Sequence, residues 1–282
     1  MQRKVSVNDF RVANRELVLQ HRLQRNLGPD IWWVCDEYQL RGNRIVAQFD
    51  ERYEEKWTTY RPLVDTPDLF LKFARLYQAP NFGEGARQFS RRYGLLNEPW
   101  QRQQDLSSFY RRAEQAWIVL RLYEAVLNGN VRAVELLASQ NLDENNDLRD
   151  GIEAGEVLFP ELPEEARLLN IAILEVTARV GSVVERLCYP ALDFEELTLP
   201  LDYSKIRSSM GFKNLVGAMY LQMHLLLTSG GNLTRCEYCK GIISLIRPYP
   251  EGRKRRRDKR FCDDACRQAN HRRKKRAQDT PA

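Results

Sequence analysis

Histidine is scarce in this chain. Among 282 residues there are three, His21, His224 and His271, too far apart in sequence to read as one catalytic group. No nucleophile elbow, phosphate loop or dinucleotide fingerprint occurs. Gly83-Glu84-Gly85 is too short to cradle a phosphate on its own. Acidic pairs such as Glu164-Glu165 and Glu195-Glu196 read as helix starts or solvated faces. An enzyme is therefore not expected. The one catalytic class left open is a metal-dependent nuclease built from scattered carboxylates.

Long apolar runs are absent too. The best candidate, Leu215 to Leu227, is broken by Gln222 and His224, whereas a spanning helix needs about 20 apolar residues. No membrane partner is expected. Met1 to Phe10 is polar with no apolar run after its charges, so no signal peptide is expected. Cysteine is sparse, at six. Cys35 and Cys188 stand alone in apolar surroundings and read as buried free thiols. Unpaired thiols point to a reducing cytoplasm.

The residues that are plentiful bound the fold. Hydrophobic residues make up 43% of the chain, enough for a real core and for one large domain or two smaller ones. The net charge of +6 is unevenly placed. Sixteen of the 44 Lys and Arg, and five of the 38 Asp and Glu, lie in 235–276, which carries +11 against −5 for the rest. An acidic body with a basic end suggests a nucleic-acid partner for that end.

The body, 1–230, reads as mainly helical with a small β element, an α+β chain. Residues 1–30 are polar and expected to be weakly ordered. Ile31 to Val34 and Arg44 to Phe49 flank the turn signal Arg41-Gly42-Asn43, which predicts an N-terminal β-hairpin or sheet edge. Thr66-Pro67 predicts a helix start carrying Leu69, Phe70, Phe73, Leu76 and Tyr77. A short helix is predicted from Gly83 to Tyr93, closed by Gly94. A long one follows Asp105, with Leu106, Phe109, Ala113, Ala116, Leu120, Tyr123 and Leu127 at helical steps. Asn128-Gly129 ends it, and Asn130 caps the next, to about Ala138. Segment 139–161 is acidic and loop-like. Pro163 opens a helix to about Leu187. Segment 190–203, with Pro190 and Pro200, reads as irregular. The last body helix is expected over Lys205 to Thr228, and Ser229 to Asn232 as a hinge. Trp32-Trp33, Met219, Met223 and His224 read as packing.

Four of the six cysteines fall within 31 residues: Cys236-Glu-Tyr-Cys239, twenty-two residues, then Cys262-Asp-Asp-Ala-Cys266. Two close pairs suit one tetrahedral zinc, each pair supplying two thiolates from a tight turn. Gly241 follows the first pair, where a knuckle needs permissive backbone. Ile242 to Ile246 predicts a strand, Pro248 to Gly252 a turn, and Arg260-Phe261 the return strand. A helix is predicted from Asp263 or Asp264, with Cys262 and Cys266 four residues apart on its first turn. Knuckle, hairpin and helix make a treble-clef-like module over 231–276, with 277–282 as a disordered tail. Four thiolates leave no open position, so the single Zn2+ is expected to be structural. His271 is not needed as a ligand. Counting thiolates and metal, the module stays at about +9.

These residues carry a resemblance. Cys-x2-Cys, then an aromatic residue before Cys-x3-Cys and a basic helix, resembles the CGNR-type zinc finger of bacterial transcription regulators. Phe261-Cys262 to Cys266 is also similar to the FCS or TRASH-type treble clefs. The resemblance covers about 40 of the 282 residues. Arg267-Gln268-Ala269-Asn270 stands where the CGNR pattern has Gly-Asn-Arg. The resemblance implies a DNA-binding or protein-binding zinc module in a bacterial cytoplasmic protein.

Two basic clusters complete the module. Arg253, Lys254, Arg255, Arg256 and Arg257 sit at the hairpin end, and Arg267, Arg272, Arg273, Lys274, Lys275 and Arg276 on the terminal helix. Phosphates are their natural partners. Gln268 and Asn270 are the candidates for base edges in a major groove. The expected function is DNA-binding transcription regulation, with RNA open as the nucleic acid and protein docking as the alternative. The body is expected to take a ligand or protein of unknown kind.

Overall fold

The computed structural model describes residues 31–48, 57–97, 101–139, 148, 150–153, 159–194, 206–228, 233–238, 242–244, 260–261 and 264–279. The expectations for 1–30, for most of 139–161 and for the hinge 229–232 lie outside these residues. The described chain is mainly helical with four small sheets. No described helix is long and apolar enough to cross a membrane.

The first strands differ from the sequence expectation. β1 (Trp32–Cys35) pairs antiparallel with β4 (Trp57–Tyr60), and β2 (Tyr38–Arg41) with β3 (Arg44–Ala47). So the hairpin partner of 44–47 is 38–41, not 31–34. The reason is the turn itself: Gly42 takes φ +56, and such a two-residue turn joins the strands immediately beside it. β5 (Gln103–Asp105) extends this sheet on β3. The turn is tied to the next helix, because Asn43 Nδ2 donates to Asp105 Oδ1 at 3.1 Å and to Ser107 Oγ at 2.8 Å.

Several helix starts, though not the first two or the one after Pro163, carry side-chain caps. α1 (Pro62–Asp65) is one short turn, and α2 (Leu69–Leu76) begins after Asp68, not at Thr66-Pro67. In α3 (Phe82–Tyr93), Asn81 Oδ1 accepts from the Glu84 N–H at 3.1 Å. In α4 (Leu106–Leu127), Asp105 Oδ2 accepts from the Ser108 N–H at 2.9 Å. Asn130 Oδ1 does the same for Ala133 at the head of α5 (Val131–Ser139), at 3.1 Å. Each cap satisfies a donor the helix leaves open. Gly94 ends α3 at φ +88, and a Cβ there would lie 2.5 Å from the Trp33 carbonyl oxygen. Only glycine fits that approach.

α6 (Glu164–Leu187) runs as its periodicity predicts. The chain beyond it departs from expectation. Residues 190–194 are not irregular, and 206–212 are not helical. β6 (Cys188–Phe194) and β7 (Ile206–Phe212) form an antiparallel pair, with Pro190 opposite Met210. A two-stranded sheet has an open edge on each strand, and an edge tolerates proline. The last body helix, α7, is therefore shorter, Leu215–Thr228.

α7 is the centre of the body. From Leu215 to Met223 every residue is buried, as expected for a helix apolar on all sides. It packs against α6 and α2, and α4 packs against both α2 and α6. Phe73 meets Phe89 at 5.3 Å and Phe109 at 5.6 Å between ring centroids, and Phe70 meets Tyr220 edge-on at 5.3 Å. Such ring pairs add about 0.5–1.5 kcal/mol each beyond area burial. Trp32, Met219 and Met223 are core residues, while His224 is half-buried. Leu127 and Leu174 keep the helical period yet are exposed, at the margin of their faces.

Gln222 interrupts the apolar run for a reason. Its Oε1 accepts from the Phe70 N–H at 3.0 Å, and its Nε2 donates to the Pro62 and Thr66 carbonyls at 2.8 and 2.6 Å. One buried amide thus closes the irregular chain between α1 and α2 onto α7. Gln222→Leu keeps the volume but strands three buried backbone groups. We expect a loss of about 2–4 kcal/mol, read as a lower denaturant midpoint. An unchanged midpoint would show that the clamp adds nothing.

The hydrophobic core, among the described residues, ends at α7. A chain ended at Asn232 should therefore melt cooperatively without the tail. If it fails to fold while the full chain folds, the division at 230 is wrong.

Candidate metal centre and nucleic-acid interface

The C-terminal segment starts with a short hairpin, whose turn at Glu237-Tyr238 is termed the knuckle. β8 (Leu233–Arg235) pairs antiparallel with β9 (Ile242–Ser244), Arg235 facing Ile242. The β-branched run at 242 thus pairs backwards onto 233–235. It does not pair with 260–261, which is not a strand. The physical reason is the short connection: six residues reverse the chain locally, and closing a short loop costs the least entropy. Cys236 leaves β8 fully buried. Cys239 and Gly241 lie in that connection and, like Cys262, Asp263, the turn at 248–252 and the cluster Arg253, Lys254, Arg255, Arg256, Arg257, outside the described residues.

The second half returns to the knuckle at three points. The Glu237 N–H donates to the Arg260 carbonyl at 2.9 Å. The Arg260 guanidinium meets the Glu237 carboxylate. The Arg273 guanidinium sits over the Tyr238 ring at 5.7 Å. These links bring the chain beside Cys262 to the residue after Cys236. They also seat α8 (Asp264–Asp279) on the knuckle, with Cys266 half-buried on its first turn. Two thiol-bearing segments held together at a buried position fit a shared metal, since zinc takes thiolates from separate turns. Among the described residues no group of three or more ligating side chains occurs, and the other two cysteines lie outside them.

α8 starts at Asp264, whose carboxylate also pairs with Arg267 at 3.0 Å. It continues to Asp279, so 277–279 belong to the helix and not to a tail. Arg267, Gln268, His271, Arg272 and Arg273 are exposed. The side chains of Lys274, Lys275 and Arg276 are not among those described. Asn270 is a correction. It is 4% exposed, and its Oδ1 accepts from Arg273 Nη2 at 3.1 Å. It lies one turn after Cys266, on the side of Arg273, and its burial keeps it from being presented to a base edge. The sequence signal was available: on a 3.6-residue period, 270 shares a face with 266.

The two body thiols, Cys35 and Cys188, are buried. Burial pushes the Cys35 thiol up, and its Sγ donates to the Gln48 carbonyl at 3.3 Å. Burial pushes Cys188 up to about 11, against a smaller lowering by Lys213. A thiol held protonated is a poor nucleophile. Glu164 and Glu165 sit exposed in the first turn of α6, where they complement the helix dipole. No protein-family model, curated protein or solved structure matches the chain.

Proposed function

We propose that the C-terminal module is a structural-zinc unit, held by Cys236, Cys239, Cys262 and Cys266, that binds duplex DNA in a transcription regulator. The observation that supports it best is the return of the chain to the knuckle, Arg260 to Glu237 ahead of α8 and Arg273 of α8 over Tyr238. A metal at the buried Cys236 would fix that return, as structural zinc does in small modules. The helix so held carries exposed Arg267, Gln268 and Arg272. It lies in a segment of +11 attached to a chain otherwise at −5. Positive charge on a held helix suits the major groove, with arginine on phosphates. The resemblance to the CGNR-type finger points the same way, to a bacterial cytoplasmic regulator.

The test is binding of the full chain to labelled duplex DNA over a salt series. Affinity should fall steeply with salt, because each neutralised phosphate releases counterions. Absence of binding at low salt, or affinity independent of salt, overturns the reading in favour of protein docking. Magnesium-dependent cleavage of the duplex would instead identify a nuclease.

A further inference from the structure

α8 presents two chemically different faces. On a helical period Cys266, Asn270 and Arg273 fall together; Arg273 sits over Tyr238 of the knuckle and donates to the buried Asn270. The opposite side carries Gln268 and His271, three residues apart and both exposed. Arg267 and Arg272 flank them, also exposed.

We infer that this outward face is the base-reading surface of the module: Gln268 and His271 meet base edges in the major groove of duplex DNA, and Arg267 and Arg272 hold the phosphates beside them. The inference rests on the proposed DNA binding and goes beyond it by sorting the helix into readers, clamps and internal supports. Asn270 cannot read, since adenine recognition needs both amide atoms and its Oδ1 already accepts from Arg273 at 3.1 Å in a buried position. Arg273 cannot clamp without leaving Tyr238 and Asn270. Arg267 differs. Its partner Asp264 is 81% exposed and its own side chain 65% exposed, and an exposed pair of that kind is weak enough to yield to a phosphate. Gln268 offers an amide donor and acceptor for adenine, and His271 offers two ring nitrogens for polar contact with a base edge. Their separation along the helix, about 4.5 Å at 1.5 Å per residue, sets them on neighbouring base pairs.

Selection from a randomised duplex library with the full chain tests this. The parent should enrich a sequence. Gln268→Ala and His271→Ala should each lose preference at a different base pair, by about 5- to 150-fold, with zinc content and melting unchanged. Asn270→Ala should lower the melting of the module and leave the enriched sequence as it was. Arg272→Gln should reduce the slope of log affinity against log salt by about 0.9, and Arg273→Gln should leave it unchanged. An identical enriched sequence in both Gln268→Ala and His271→Ala overturns the inference. So does a parent that binds duplexes with a steep salt slope but enriches none, in which case DNA binding itself stands. A parent that retains no duplex at any salt removes both. Preference for an RNA hairpin over every duplex also overturns it, because the deep, narrow RNA major groove does not admit a helix.

Discussion

Cys236→Ser should yield a chain without zinc, with an unfolded C-terminal module and a body that melts as the parent's does. Serine keeps the size of the side chain but replaces a soft thiolate with a hydroxyl that zinc does not favour. The effect should be large, because there is little else to hold the module. Of its side chains whose burial is described, Cys236 and Asn270 are buried, and α8 from Asp264 to Asp279 is strongly polar. A unit of this size cannot bury enough apolar surface to offset chain entropy. Metal binding of the order of 10–16 kcal/mol, as in zinc-finger peptides, is then the folding free energy itself. Cys262→Ser should behave in the same way. The body has its own core on α7, so its cooperative transition should persist. Elemental analysis and limited proteolysis read the result. One zinc per parent chain and none in the variant is the expected outcome. A parent purified without chelator that carries no zinc would sink the metal centre.

Replacing Arg272, Arg273, Lys274 and Lys275 together by Ala should remove most of the electrostatic affinity for DNA. Each phosphate contact contributes about 0.9 to the salt slope. Arg273 is engaged with Tyr238 and Asn270, so three of the four positions count and the slope should drop by about 2.7. At 0.1 M salt that corresponds to about 500-fold weaker binding if the salt-independent part is untouched. Losing Arg273 should also loosen the seat of α8, so zinc content and melting must be measured beside binding. If the variant binds with the parent's affinity and slope, α8 is not the contact element. Arg253 to Arg257 then become the better candidates.

The long helices are legible in the sequence because their signals are local. Asp105, Asn130 and Pro163 mark starts, and the apolar steps from Phe109 to Tyr123 mark a buried face. A helix closes its hydrogen bonds within four residues, so neighbours in sequence carry the whole message. The terminal helix is legible on the same grounds, from its acidic start at Asp264.

Strand pairing is not legible in that way. The partner of Trp32 is Tyr60, and the partner of Val46 on its second side is Gln103. Nothing within either strand names the other. Cys188 to Phe194 is hidden further by Pro190, a residue whose local reading is irregular chain and whose actual place is an edge beside Met210.

The same division runs through the candidate site. The proposal of a metal and a polyanion partner at the C-terminal end rests on composition, charge placement and the two cysteine pairs, since charge and ligand type belong to the residues themselves. Which polar side chains of α8 face outward belongs to the fold. Gln268 and Asn270 look alike in sequence, but Asn270 is buried and accepts from Arg273 while Gln268 and His271 remain exposed. Gln222 is the counterpart in the body. In sequence it is a polar break in an apolar run; in the fold it bonds three backbone groups from a chain segment some 150 residues earlier. Burial and hydrogen-bond partners are set by elements distant in sequence, and no local pattern carries them.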